Sequence, residues 1–89
     1  MNPLEVARSY GIEVIVEDLG DWGGAQLVAE YDPDGPVIRV HSGACDRLAQ
    51  AVAHELYHHR ERIGEVPRLA TRAQRERAAH AYAEALLER

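Results

Sequence analysis

The sequence predicts a small α+β domain in which helices cover one face of a three-stranded sheet. Two observations predict this class: short β-branched runs lie in the first half of the chain, and apolar stripes with helical spacing lie in the second half. With 89 residues, of which 46% are hydrophobic, the chain can build one thin core. We therefore expect residues 1–89 to form a single domain.

The N-terminal segment predicts a helix followed by a strand. Pro3 suits a first helical turn with Asn2 as its N-cap, and Gly11 ends the short apolar face that follows. These signals place a helix over residues 3–10. The β-branched residues of 12–17 favour the first strand.

Two further strands are predicted on either side of a turn. Residues 25–31 and 37–41 flank the segment Asp32-Pro33-Asp34-Gly35-Pro36, which is typical of a hairpin between antiparallel strands. If strand 37–41 lies at an edge of the sheet, an extended peptide could pair with it, although most strand edges are only structural boundaries.

The second half of the chain predicts two helices. Ser42 can cap a helix over about 44–63, which Gly64 ends. Its apolar stripe consists of Cys45, Leu48, Val52, Leu56 and Ile63. The Thr71-Arg72-Ala73-Gln74 segment has the form of a capping box and opens the last helix. The stripe of that helix consists of Ala79, Tyr82, Ala83 and Leu86.

Composition excludes several classes of function. All ten basic residues are arginine, and fifteen acidic residues give a formal charge of -5, which speaks against general nucleic-acid binding. The single cysteine, Cys45, allows no internal disulfide. Neither a secretory signal nor an apolar run of about 20 residues is present, so we expect a cytoplasmic protein with no membrane partner.

The segment His54-Glu55-Leu56-Tyr57-His58 is a His-Glu-x-x-His motif within the predicted helix. Residues four apart lie one helical turn from each other, so His54 and His58 can bind one zinc ion through the same face. On a helical wheel this face is nearly opposite the apolar stripe. Glu55, next to the first ligand, is the candidate general base. The alternatives are two exposed histidines or a structural metal site.

A catalytic zinc site needs a third protein ligand. Glu76 is the favoured candidate, because it lies one turn into the last helix at the edge of its apolar stripe. His80, four residues later, would then stabilise the developing oxyanion of the substrate or orient Glu76; alternatively His80 is itself the ligand. An ordinary exposed pair of Glu76 and His80 is the remaining interpretation.

These residues resemble the zinc metallopeptidases called ImmA/IrrE-like. The resemblance is carried by the motif at 54–58 and by Glu76-Arg77-Ala78-Ala79-His80-Ala81-Tyr82-Ala83 ahead of Leu86-Leu87, which is similar to that family's Glu-x-x-Ala-Asn-x-Phe-Ala segment. It implies a gluzincin-type site in which Glu76 is the third zinc ligand. It also implies an N-terminal helix, a small sheet and a motif helix in that order.

The sequence therefore predicts a zinc metallopeptidase that hydrolyses a peptide or protein substrate. Because His54 and His58 must be uncharged to bind zinc, activity should fall in acid. The alternative is a regulatory or binding module in which zinc only stabilises the fold. A third hypothesis is an enzyme that stays inactive until a regulatory protein partner completes its cleft.

Overall fold

The computed structural model describes residues 2–18, 21–22, 25–26 and 29–88. For residues 21–22, 25–26 and 44–46 it describes the backbone only. Residues 27–28 of the predicted strand 25–31, and the side chain of Cys45 on the predicted stripe, therefore lie outside the described part.

The described elements confirm the α+β class and form a single domain. They are α1 (Pro3–Ser9), β1 (Glu13–Glu17), β2 (Asp21–Trp22), β3 (Ala25–Gln26), β4 (Ala29–Asp32), β5 (Val37–His41), a 3-10 helix (Ser42–Arg47), α2 (Leu48–Arg62) and α3 (Arg72–Leu87). In these ranges no helix combines the length and the hydropathy needed to cross a bilayer.

Three strands pair in the order β1-β5-β4. β4 and β5 form the predicted antiparallel hairpin, with Asp32 opposite Val37. β1 pairs with β5 in parallel. β5 is therefore the central strand, and the idea that strand 37–41 lies at an edge is wrong. The expected single strand over 25–31 is also wrong, because β3 pairs with β2 in a separate sheet while β4 joins β5.

Helices cover one face of the three-stranded sheet, and Arg39 with its carboxylate partners lies on the other face. Ile38 and Val40 of β5 are fully buried and join the core with α1, α2 and α3. Arg39 lies between them on the opposite face, because successive side chains of a strand alternate. Its guanidinium contacts Glu17, Glu30 and Asp32 at 3.3–3.4 Å. The core is thus built on the helical side alone.

Local signals set most helix ends as predicted. The side chain of Asn2 accepts a hydrogen bond from the backbone of Leu4 at the start of α1. Thr71 and Gln74 form both hydrogen bonds of the capping box at the start of α3. Gly11 and Gly64 adopt φ angles of 74° and 82°, a conformation that glycine adopts without steric cost.

The motif helix begins later than predicted. The segment Ser42–Arg47 is a 3-10 helix, and Arg47 precedes α2 without a capping side chain, so the expectation that Ser42 caps this helix is wrong. Short 3-10 segments are frequent at helix starts. Val52 and Leu56 are fully buried as predicted. Ile63 is 48% exposed, because α2 ends at Arg62 and its stripe does not continue.

Candidate metal centre

Three of the predicted site residues lie together between α2 and α3, which pack against each other. The Nε2 atom of His54 is 2.9 Å from Oε2 of Glu76, and Nε2 of His58 is 3.3 Å from Oε1 of the same carboxylate. One ligand atom from each of the three residues lies within 4.8 Å of the other two. The two histidines of α2 thus share one carboxylate of α3.

The two separations that involve Glu76 are compatible with a tetrahedral metal site. Ligand atoms that are about 2.0–2.1 Å from a tetrahedral zinc lie roughly 3.3 Å from one another. The contacts of Glu76 with His54 and His58, at 2.9 and 3.3 Å, are close to that value. Two imidazoles and one carboxylate also form a donor set that zinc accepts, with a fourth position left for water or substrate.

A buried ion pair behind His58 determines how its ring is oriented. The side chain of Glu61 is only 3% exposed, and its carboxylate accepts two hydrogen bonds from Arg75, at 3.0 and 3.2 Å. Burial alone would raise the pKa of Glu61, but the hydrogen bonds from Arg75 and His58 outweigh it and lower that pKa. Glu61 is therefore ionised at neutral pH and can only accept hydrogen bonds.

This fixes the tautomer of the neutral His58 ring. Nδ1 of His58 lies 2.8 Å from Oε1 of Glu61, so Nδ1 must carry the proton and donate it. Nε2 then presents a lone pair towards Glu76 at 3.3 Å. Two acceptors that face each other repel unless a cation lies between them, either a proton on the ring or a metal ion. The arrangement matches the carboxylate-histidine pairs that support metal ligands.

Glu55 borders the cluster on its other side. It lies in a cleft of about 390 Å³ whose wall also includes His54 and Glu76. Burial raises the pKa of Glu55, an effect that the nearby rings of His58 and His54 partly oppose. The other residues of the wall are Ala29, Arg47, Gln50, Ala51 and Arg72. The candidate general base and two candidate ligands thus open onto the same cavity.

His80 is not part of the cluster. Its side chain is 57% exposed, and its Nε2 atom lies 3.0 Å from Glu84, one turn further along α3. Among the described residues, Glu76 and not His80 completes the group with His54 and His58. The expected oxyanion role of His80 consequently has no contact that supports it.

Sequence reasoning did not find Glu61 and Arg75. A glutamate three residues after the second motif histidine lies on the same helical face, so its position alone could have marked it as a partner of His58. Arg75 is separated from Glu61 by 14 residues, and only the packing of α3 on α2 brings the two together. No pattern within either helix indicates that contact.

A scan of protein-family models, a search of curated proteins and a search of solved structures find no match to this chain. The resemblance to ImmA/IrrE-like metallopeptidases therefore depends on the motif residues themselves and stays a prediction.

Proposed function

We propose that this chain is a zinc-dependent peptidase of the ImmA/IrrE-like kind. In this proposal His54, His58 and Glu76 hold the ion, and Glu55 is the general base. The observation that carries it is the convergence of Nε2 of His54 and Nε2 of His58 on one carboxylate beside the cleft that contains Glu55. Its expected compartment is the cytoplasm.

Zinc at this site would polarise the carbonyl group of the scissile bond and lower the pKa of water there. The protein would hold the ion through a fixed arrangement, because Arg75 orients Glu61 and Glu61 orients the ring of His58. Such a chain of contacts keeps Nε2 of His58 directed at the site. Ligands fixed in this way need little reorganisation when substrate binds.

Glu55 would move the protons of the reaction. Its carboxylate lies in the cleft wall beside the ligands, so it can accept a proton from the attacking water and later deliver it to the leaving nitrogen. This role needs a carboxylate that remains off the metal, which agrees with its absence from the group of His54, His58 and Glu76.

The edge of β4 offers a place where an extended peptide could bind beside this cleft. β4 pairs with β5 on one side within the described sheet, and Ala29 of β4 lies in the cleft wall next to Glu55. An extended chain could pair with the backbone of β4 and so pass the cluster. A peptide or protein segment is accordingly the proposed substrate.

Replacement of Glu55 by Gln tests the function. We expect Glu55→Gln to keep one zinc per chain, measured by elemental analysis, and to lose at least about a hundredfold in hydrolysis, because the proton acceptor is removed. Hydrolysis is followed by mass spectrometry of a mixed peptide library. Glu84→Gln, an exposed change on α3, is the matched control and should cut like the wild type.

Two outcomes contradict the proposal. If Glu55→Gln cuts as well as the control variant, Glu55 is not the base. If the wild type holds zinc and cuts nothing, with or without added cell extract, the alternative of a zinc-stabilised regulatory or binding module is favoured. Hydrolysis that appears only with extract, and is absent when Glu55→Gln replaces the wild type in the same extract, would indicate that a regulatory protein partner completes the cleft.

A further inference from the structure

A second, smaller cleft has His58 in its wall. Its volume is about 150 Å³, and its wall is formed by Tyr31, His58, Glu61, Arg62, Arg68 and Arg75. A water molecule needs only about 10–15 Å³ of such space, so the cleft has room for several waters or for one side chain. None of the sequence motifs predicts this cavity.

The second cleft has an excess of positive charge. Its wall holds three arginines and one glutamate, and Glu61 is already bound to Arg75. Arg62 and Arg68 have no ion-pair partner among the residues that the structure describes, and both are exposed. The first cleft is the larger one, which contains Glu55. In its wall the positive charges of Arg47 and Arg72 are balanced by the negative charges of Glu55 and Glu76. The excess is therefore local, in a chain whose formal charge is -5.

The two clefts are neighbours along one path. Ala29 contributes to the first cleft and Tyr31 to the second, and both belong to β4. The side chains of these two residues leave the strand on the same face, because they are two positions apart. His58, a candidate ligand, forms part of the second wall. A peptide that lies along β4 and passes the cluster would thus reach the second cleft.

We infer that the second cleft binds an acidic side chain of the substrate, on one side of the bond that is cut. This inference rests on the proposed peptidase function and adds a substrate class to it. The guanidinium groups of Arg62 and Arg68 would bind the incoming carboxylate, since arginine matches its two oxygens with paired donors. A lysine or arginine side chain would meet like charges there, and a neutral side chain would gain no ion pair.

Binding of labelled peptides tests the inference without turnover. The protein is zinc-loaded Glu55→Gln, and the probes are three fluorescein-labelled decapeptides in which alanine alternates with glutamate, glutamine or lysine. We expect the glutamate peptide to bind roughly tenfold more tightly than the glutamine peptide, measured by fluorescence anisotropy at low salt. The lysine peptide should bind most weakly.

Two double variants in the same Glu55→Gln background locate the effect. Arg62→Gln with Arg68→Gln should remove the preference for glutamate. Arg8→Gln with Arg77→Gln changes the net charge equally at two exposed positions outside both clefts and should leave the preference intact. Circular dichroism and thermal unfolding check that both double variants fold.

Equal binding of the three peptides would overturn the inference, and so would equal losses in the two double variants. The proposed function is tested in a separate assay, in which wild-type protein is incubated with the same peptides and with a mixed library and cleavage is measured. Cleavage without preference for acidic residues contradicts the inference and leaves the peptidase function standing. Selective binding through Arg62 and Arg68 with no cleavage contradicts the function alone.

Discussion

At the scale of single residues, Glu61 determines which nitrogen of His58 is free. It is nearly inaccessible to solvent and is held by two hydrogen bonds from Arg75, so it cannot turn away from the ring. Its contact with Nδ1 of His58 leaves Nε2 to face Glu76. A metal bound here would depend on a residue that does not touch it.

We predict that Glu61→Gln weakens zinc binding by about 10–100-fold, the usual cost of losing such a supporting contact. The amide can donate as well as accept, so it no longer fixes the tautomer of His58, and it leaves the charge of Arg75 unpaired. Competition with a chromophoric chelator measures the affinity. Glu84→Gln is the control, and an unchanged affinity in Glu61→Gln would show that the ring needs no such support.

Most of the site was predictable from patterns within single helices. His54, Glu55 and His58 follow from one helical spacing, and Glu76 follows from its place on the next amphipathic helix. The exposed position of His80 did not follow, because Glu76 and Glu84 both lie four residues from it and the spacing does not choose between them. The pairing of Glu61 with Arg75 depends on how two helices are packed, which side-chain periodicity does not contain.

At the scale of elements, α3 brings Glu76 to the site, and its start is fixed by the capping box. The side chain of Thr71 accepts a hydrogen bond from the backbone of Gln74 at 3.1 Å, and the side chain of Gln74 accepts one from the backbone of Thr71 at 3.2 Å. The first turn of α3 therefore has partners for donors that a helix otherwise leaves unpaired.

Removal of the cap should destabilise the fold. We predict that Thr71→Ala lowers the free energy of unfolding by about 1 kcal/mol, measured by urea denaturation, since it leaves a backbone donor of α3 without its partner. Thr71→Ser keeps a hydroxyl and should remain within a few tenths of a kcal/mol of the wild type. Equal stability of Thr71→Ala and Thr71→Ser would mean that the capping box contributes nothing.

A second contact between elements joins α1 to the end of α2. The hydroxyl of Tyr10 donates to Oε2 of Glu65 at 2.6 Å, and Nε of Arg60 donates to the same oxygen at 3.0 Å. These hydrogen bonds lower the pKa of Glu65, and the one from Tyr10 has the larger effect. His59 also faces this group, with its ring 5.2 Å from that of Tyr10.

The lowered pKa of Glu65 predicts a pH dependence. Its folded-state pKa lies below the unfolded value of about 4.3, so its contribution to stability is complete above that value and is lost as pH falls through the folded pKa. Glu65→Gln should therefore be less stable than the wild type at pH 7, and the difference should vanish in acid. Thermal unfolding from pH 7 to pH 3 measures it.

Glu13→Gln is the control for this titration, because Glu13 is exposed on β1 and makes no side-chain contact that the structure describes. It should follow the wild type at each pH. A gap between the wild type and Glu65→Gln that stays constant from pH 7 to pH 3 would contradict the assignment, because it would mean that the carboxylate charge plays no part.

The helices and strands were predictable where the residues that define them lie within one short segment of the sequence. The caps at Asn2 and Thr71, the stops at Gly11 and Gly64 and the hairpin after Asp32 were all predicted from short segments. The parallel pairing of β1 with β5 was not, because those strands are joined by a long connection and parallel partners leave no turn signal.

At the scale of the whole molecule, a bound metal ion would add to the stability that a small core supplies. The core lies on one side of a three-stranded sheet, and α3 contributes Ala83 and Leu86 to it. A ligand that binds only the folded chain stabilises it by about 2.7 kcal/mol when its concentration is a hundred times its Kd. An ion between α2 and α3 would join the last helix to the rest of the fold.

Zinc titration of the metal-free protein decides whether His54, His58 and Glu76 form a metal site, with binding followed by calorimetry and the melting temperature measured in parallel. We expect one ion per chain and a rise in the melting temperature. Binding should be lost or strongly weakened in His54→Ala, His58→Ala and Glu76→Ala, and retained in His80→Ala. Protein that takes up no zinc and melts at the same temperature with and without it would rule out the site, as would binding that depends on His80 instead of Glu76.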